Sequence, residues 1–168
     1  GDRHIMHDQS VAVFDHFLGA LSKVLAKAEA HCEAHKIDPA ALLTARLFPD
    51  MFTFTRQVQL ATDFAKGPSA RLAGVDIPSF EDTETTFGTL QARIAKTREF
   101  LATITPAMLD GAAMRTIRFR ARGQDHEAPG RAYLSMVALP NFYFHTTTAY
   151  NILRHNGVEL GKGDFVGR

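Results

Sequence analysis

Residues 131–157 read RAYLSMVALPNFYFHTTTAYNILRHNG, a segment whose apolar residues recur at helical spacing. Stepping by threes and fours selects Leu134, Ala138, Asn141, His145, Thr148 and Ile152 for one face. Asn141 and His145 interrupt that stripe with an amide and an imidazole one turn apart. Buried polar groups cost free energy unless they are hydrogen-bonded or ligated. The pair therefore predicts either a satisfied structural contact or a small polar site in the core. The helix is expected to start near Ala132 and to kink at Pro140, which offers no N–H to the carbonyl four residues back. Arg154 and His155 before Asn156-Gly157 make a favourable helix end.

Working outward, the residues just before this helix change period. Ile117, Phe119 and Ala121 alternate with Thr116, Arg118, Arg120 and Arg122 before Gly123, which predicts a small β-hairpin within 115–129. Upstream, Phe87, Leu90, Ile94, Leu101 and Ile104 mark a third long helix, expected to open at Ser79 or Asp82 and to end before Pro106. A second is predicted from about Asp50 to Ala73, closed by Gly74 and bent at Gly67-Pro68. The first runs to about His35 from an N-cap at Asp8 or Ser10, with Val11, Phe14, Leu18, Leu21, Leu25, Ala28 and Cys32 on its apolar stripe. Lys23, Lys27 and Glu29 point to water. Asp38-Pro39 begins a short helix that ends before Pro49. The chain is thus expected to be all-α, a four-helix bundle with a small β-hairpin between its third and fourth long helices. One domain spans 1–168, with residues 1–6 expected to be disordered or foreign to the natural chain and 158–168 a tail packing through Leu160, Phe165 and Val166.

Composition narrows the function classes. A length of 168 residues suffices for one substantial core, and a net charge of +1 gives no global pull toward nucleic acid or membrane. No apolar run approaches the ~18 residues of a membrane span. The single cysteine, Cys32, cannot form an internal disulfide and fits a reducing, cytoplasmic setting, where it reads as an inert core thiol.

Three side chains are candidates for a ligand pocket: Gln57, Asn141 and His145. Gln57 is in line with Leu60 and Phe64, so its amide faces inward. The three could orient a water or small polar ligand, or simply bond one another. Asp50 and Asp63 are the carboxylates within conceivable reach as a base, and no catalytic residue is assigned. His16, His31 and His35 read as surface groups, the last two favoured by their helix C-terminus. Arg115, Arg118, Arg120, Arg122 and Arg131 form the only basic cluster and read as a solvated face protecting a strand edge, so nucleic acid is not an expected partner. Phe142-Tyr143-Phe144 and Tyr150 exceed one core stripe, which predicts either burial on most sides of the helix or a homodimer contact.

The fourth helix also resembles that of the DinB-like superfamily of bacterial four-helix bundles, many of them metal-dependent. Their pattern has a histidine, three residues and a second histidine, then Arg-Gly-Gln and, a turn or so later, Leu-Arg. Placing Leu-Arg on Leu153-Arg154 puts the second histidine on His145 and the first on Asn141. A branch of that superfamily with no assigned activity is more similar, at Ala45-Arg46-Leu47, Asp50-Met51, Arg56 to Gln59, Ala70 to Gly74, Leu139 to His145 and Leu153 to Gly157. The resemblance implies a metal site of three histidines, one from the second helix and two from the fourth. Here only His145 is present, so the resemblance implies a degenerate site with no metal cofactor expected. The expected function is binding of an unknown small molecule or partner. The alternative is a metal-dependent transferase or hydrolase using His145 with non-standard ligands around a divalent ion such as zinc or nickel.

Overall fold

The computed structural model describes residues 1–168, apart from the side chain of Asp2. Its helices are α1 (Asp2–Gln9), α2 (Val11–His35), α3 (Ala40–Leu43), α4 (Phe54–Ala73) and α5 (Phe87–Ala102), followed by a 3-10 turn at Pro106–Leu109. Strands β1 (Thr116–Ala121) and β2 (Gln124–Pro129) form an antiparallel hairpin in which Ala121 pairs with Gln124. Then come α6 (Gly130–Tyr133), a π-helical turn (Leu134–Ala138), α7 (Leu139–His155) and α8 (Lys162–Val166). The fold is mostly helical with one two-stranded sheet. None of the helices is long and apolar enough to cross a membrane, among the described residues.

The core follows the stripes. Val11, Phe14, Leu18, Leu21, Leu25, Ala28 and Cys32 of α2 are buried, as are Phe54, Val58, Ala61 and Ala65 of α4. Phe14 meets Phe142 of α7 edge to face with ring centroids 5.0 Å apart. Fully burying each ring contributes roughly 1.5–3 kcal/mol. α4 packs against α2, α5 and α7, and α2 in turn packs directly against α5 and α7.

Several boundaries differ from the sequence expectation, each for an identifiable reason. Residues 1–6, expected to be disordered or foreign to the natural chain, are helical from Asp2 onward, and Met6 is buried. Ser10 does not cap α2, because its hydroxyl donates back to the Met6 carbonyl at 2.5 Å. α4 starts at Thr53, whose hydroxyl accepts from the Arg56 N–H, rather than at Asp50. α5 starts at Thr86, in a reciprocal cap with Thr89, rather than at Ser79 or Asp82. Residues 75–85 are non-helical, and within them Asp82 and Glu84 are held by Arg56, Arg93 and Gln59 of the neighbouring helices. The kink expected at Pro140 is absorbed one turn earlier. The Leu139 N–H donates to Leu134 C=O, an i+5 bond that inserts an extra residue before the proline. Tyr143 packs edge-on against Phe17, and Tyr150 against Phe165, so α2 and the C-terminal segment absorb the aromatics that suggested a dimer. Phe144 is the aromatic of that run left exposed.

Gly130, at the junction of hairpin and α6, shows how tightly the hairpin is docked. Its N–H donates to Arg115 C=O at 2.8 Å, and a Cβ there would lie 1.9 Å from the Ala112 carbonyl oxygen. No rotamer relieves a clash with backbone. Gly130→Ala is expected to cost about 2 kcal/mol, an overpacking penalty, measurable as a lower urea midpoint with an unchanged slope.

Candidate functional site

Facing turns of α4 and α7 bring Gln57 and His145 together. The His145 Nδ1–H donates to Gln57 Oε1 at 2.7 Å, while Gln57 Nε2 reaches Phe52 C=O at 3.5 Å. Those two bonds orient the amide and select the tautomer with its lone pair on Nε2. His145 is 7% exposed and Gln57 1%. The Phe64 ring stacks on the imidazole, 5.6 Å between centroids and 21° between planes, and Phe144 meets it edge-on. Burial, and secondarily the Arg56 charge, push the His145 pKa down to about 4, so the ring is neutral at ordinary pH.

Asn141 does not join this pair. It is half-buried, and its Nδ2 donates to Val137 C=O at 2.7 Å. Instead it lines an open cleft of about 820 Å³ bounded by α4, the 77–80 segment, the hairpin and the turn before α7. Phe64 is the shared wall: one face covers His145, and the residue also lines the cleft. The three sequence candidates therefore split into a buried Gln57–His145 pair and a cleft residue, Asn141.

Asp63, one of the two candidate carboxylates, lines the cleft, whereas Asp50 is exposed elsewhere. Asp63 is held by Arg93 at 2.9 Å and Lys66 at 3.5 Å, and so is engaged in an ion network. Burial pulls the Lys66 ammonium below its ordinary pKa, opposed by the charge of Asp63. Its Nζ is 3.9 Å from the centroid of the Phe80 ring, a cation–π contact. Lys66 and Phe80 were not legible as site residues. An amine on the buried side of an amphipathic helix was the available signal for the first, and none marked the second.

The remaining candidates fall outside the site. Cys32 is buried, with burial raising its thiol pKa, which is the environment of an unreactive sulfur. His16 is exposed and bonds the Val166 carbonyl at 2.7 Å, tying α2 to the C-terminus. His31 and His35 stack on each other at the surface. The hairpin arginines do not act as one patch. Arg118 pairs with Glu127 and Arg120 with Asp125, Arg115 bonds the Leu72 carbonyl, and only Arg120 and Arg122 line the cleft.

The donor set can be tested against the divalent metal implied by the resemblance. Gln57 and Asn141 offer amide oxygens, weak donors beside imidazole or thiolate. The first is occupied by the His145 ring N–H, and the second amide is turned toward Val137. Among the described residues, no three His, Cys, Asp or Glu side chains gather as a potential ligand set. These residues do not fit a three-ligand transition-metal site.

Comparison with known proteins places this geometry. The model of a domain of unknown function, DUF1993, matches residues 6–166. The chain belongs to the DUF1993 family. Its structure is similar to the crystal structure of a DinB family member from Shewanella denitrificans. The two are 41% identical and agree with a TM-score of 0.93 over 99% of this chain and 94% of that one. At that identity and coverage this DUF1993 chain is also a DinB family member. None of the curated proteins matches it.

Proposed function

We propose that this chain is a four-helix bundle of DinB type that lacks a metal site and binds a small molecule in the cleft beside His145. The observation that carries the reading is the shared wall. Phe64 and Asn141 border an 820 Å³ space, while His145, one turn from Asn141, is closed off behind Phe64 by Gln57. That volume is the size of a small-molecule site, mostly apolar with a few converging polar groups. A lone buried thiol fits a cytoplasmic setting.

The chain contains no tryptophan, so Ile77→Trp on the cleft wall supplies a single fluorescent reporter. Titration with the low-molecular-weight fraction of a cell extract is expected to give a saturable emission shift. A ligand at a hundred times its Kd should also add about 2.7 kcal/mol to stability. Elemental analysis of untagged protein is expected to give zinc and nickel well below one per chain. Stoichiometric metal that disappears in His145→Ala, with no emission shift, would overturn the reading in favour of metal-dependent chemistry.

A further inference from the structure

The charge of the cleft deepens the binding proposal, on which this inference rests. Four cationic side chains, Lys66, Arg71, Arg120 and Arg122, line the cleft against one carboxylate, Asp63. Two of the four are already paired, Lys66 with Asp63 and Arg120 with Asp125. Arg71 and Arg122 have no carboxylate partner among the described residues.

Arg71 is half-buried, and its polar neighbour is the Tyr133 hydroxyl, to which Nη1 donates at 3.1 Å. Its guanidinium lies over Gly67, where a Cβ would come within 2.9 Å of Nη1. The glycine thus leaves room for the charged head on the cleft wall. Arg122 is the more telling residue. It is the first of the two residues in the hairpin turn, at φ +52°, with Gly123 at +73°. Both central positions therefore need left-handed backbone, the turn in which Asn-Gly is the comfortable pair. An arginine there carries backbone strain that asparagine bears more easily, and strain retained at a cleft rim points to use of the side chain. Around these charges the walls are apolar and aromatic: Phe64, Ile77, Pro78, Phe80 and Phe119.

We propose that the cleft takes an amphipathic anion, a phosphate or carboxylate held by Arg71 and Arg122, with an aromatic or short acyl body against Phe64, Phe80 and Phe119. Guanidinium forks suit both head groups, because two parallel N–H donors match two oxygens. A neutral apolar ligand would leave the two arginines unused. A bare inorganic anion would leave the aromatic walls wet.

Calorimetric titration of the wild-type chain with phenyl phosphate, octanoate, benzyl alcohol, 1-octanol and inorganic phosphate tests this. Phenyl phosphate or octanoate is expected to bind at least about tenfold more tightly than its neutral counterpart and than inorganic phosphate, and to weaken with salt. Arg71→Gln and Arg122→Asn should each weaken the anion about tenfold and leave the alcohols unchanged. Arg122→Asn, which relieves the turn, should also melt no lower than wild type. Equal affinity for anion and alcohol, or unchanged anion binding in both variants, overturns the anion assignment and leaves the cleft as a binding site. Absence of binding by every probe also overturns it, and the Ile77→Trp titration with extract then decides separately whether the cleft binds anything.

Discussion

Arg93→Met is expected to destabilise the chain by about 4 kcal/mol, in the range found when one partner of a buried ion network is removed. Arg93 projects from α5 and is 3% exposed. Its Nε donates to Thr62 Oγ1 at 2.8 Å, and Nη2 donates to Asp63 at 2.9 Å, both on α4. Nη1 lies 3.0 Å from both Asp82 and Glu84 and 3.2 Å from the Glu81 carbonyl, all in the segment before α5. One side chain thus joins two helices and a stretch of irregular chain. Methionine fills most of the space but strands the Glu84 carboxylate, 11% exposed, with only the Gln59 amide. Arg93→Lys should recover less than half of the loss, since an ammonium cannot present the planar fork. Breaking the exposed Arg118–Glu127 pair by Arg118→Ala serves as the control and should cost less than about 1 kcal/mol. Urea denaturation of the three variants measures these differences. Hydrogen exchange should show residues 76–86 opening in Arg93→Met, because Ile77 to Phe80 form a cleft wall held down by this network. An Arg93→Met protein as stable as wild type would mean that the network merely balances its own desolvation.

The elements most legible in the sequence are those set by local periodicity. The α2 stripe and the alternation of Ile117, Phe119 and Ala121 each determine an element without reference to the rest of the chain. The inward direction of Gln57 and His145 followed from the same spacing, and the bond between them required only that α4 and α7 face each other. What could not be read depends on distant or non-helical pieces. Asn141 was placed on the core stripe by counting, but it is half-buried at the cleft-side edge of that stripe and its amide bonds back to the Val137 carbonyl. The cleft is assembled from four separated stretches of chain, so no window of sequence contains it. Arg93 did leave a trace: it falls on the buried row with Leu90, Ile94, Thr97 and Leu101, downstream of the acidic run Glu81-Asp82-Thr83-Glu84. A lone cation on an apolar stripe near such a run is a signal for a buried tether.

His145→Phe is expected to have an effect whose sign depends on pH. At pH 7.5 the substitution leaves the buried Gln57 amide without its donor, at a cost of about 2 kcal/mol. Wild type carries a liability that appears only in acid. Its folded-state pKa of about 4 lies below the ordinary histidine value near 6.5, so between those limits the unfolded chain binds a proton that the folded chain refuses. Stability is therefore fully retained above pH 6.5 and falls as the pH drops toward 4, by about 1.4 kcal/mol per unit and about 3 kcal/mol in all. Phenylalanine has no proton to take up. The difference between variant and wild type should shrink through this window and reach zero or reverse near pH 4.5, with the other titrating groups cancelling in the subtraction. Pairing the substitution with Gln57→Leu removes both polar partners, and the double variant should lose less at pH 7.5 than the sum of the two singles. Denaturant titrations at four or five pH values measure all of this. A variant cost that stays flat from pH 7.5 to 4.5 would show that the His145 ring protonates as readily folded as unfolded. That result would contradict its enclosure behind Phe64 and undo the separation between the buried pair and the cleft.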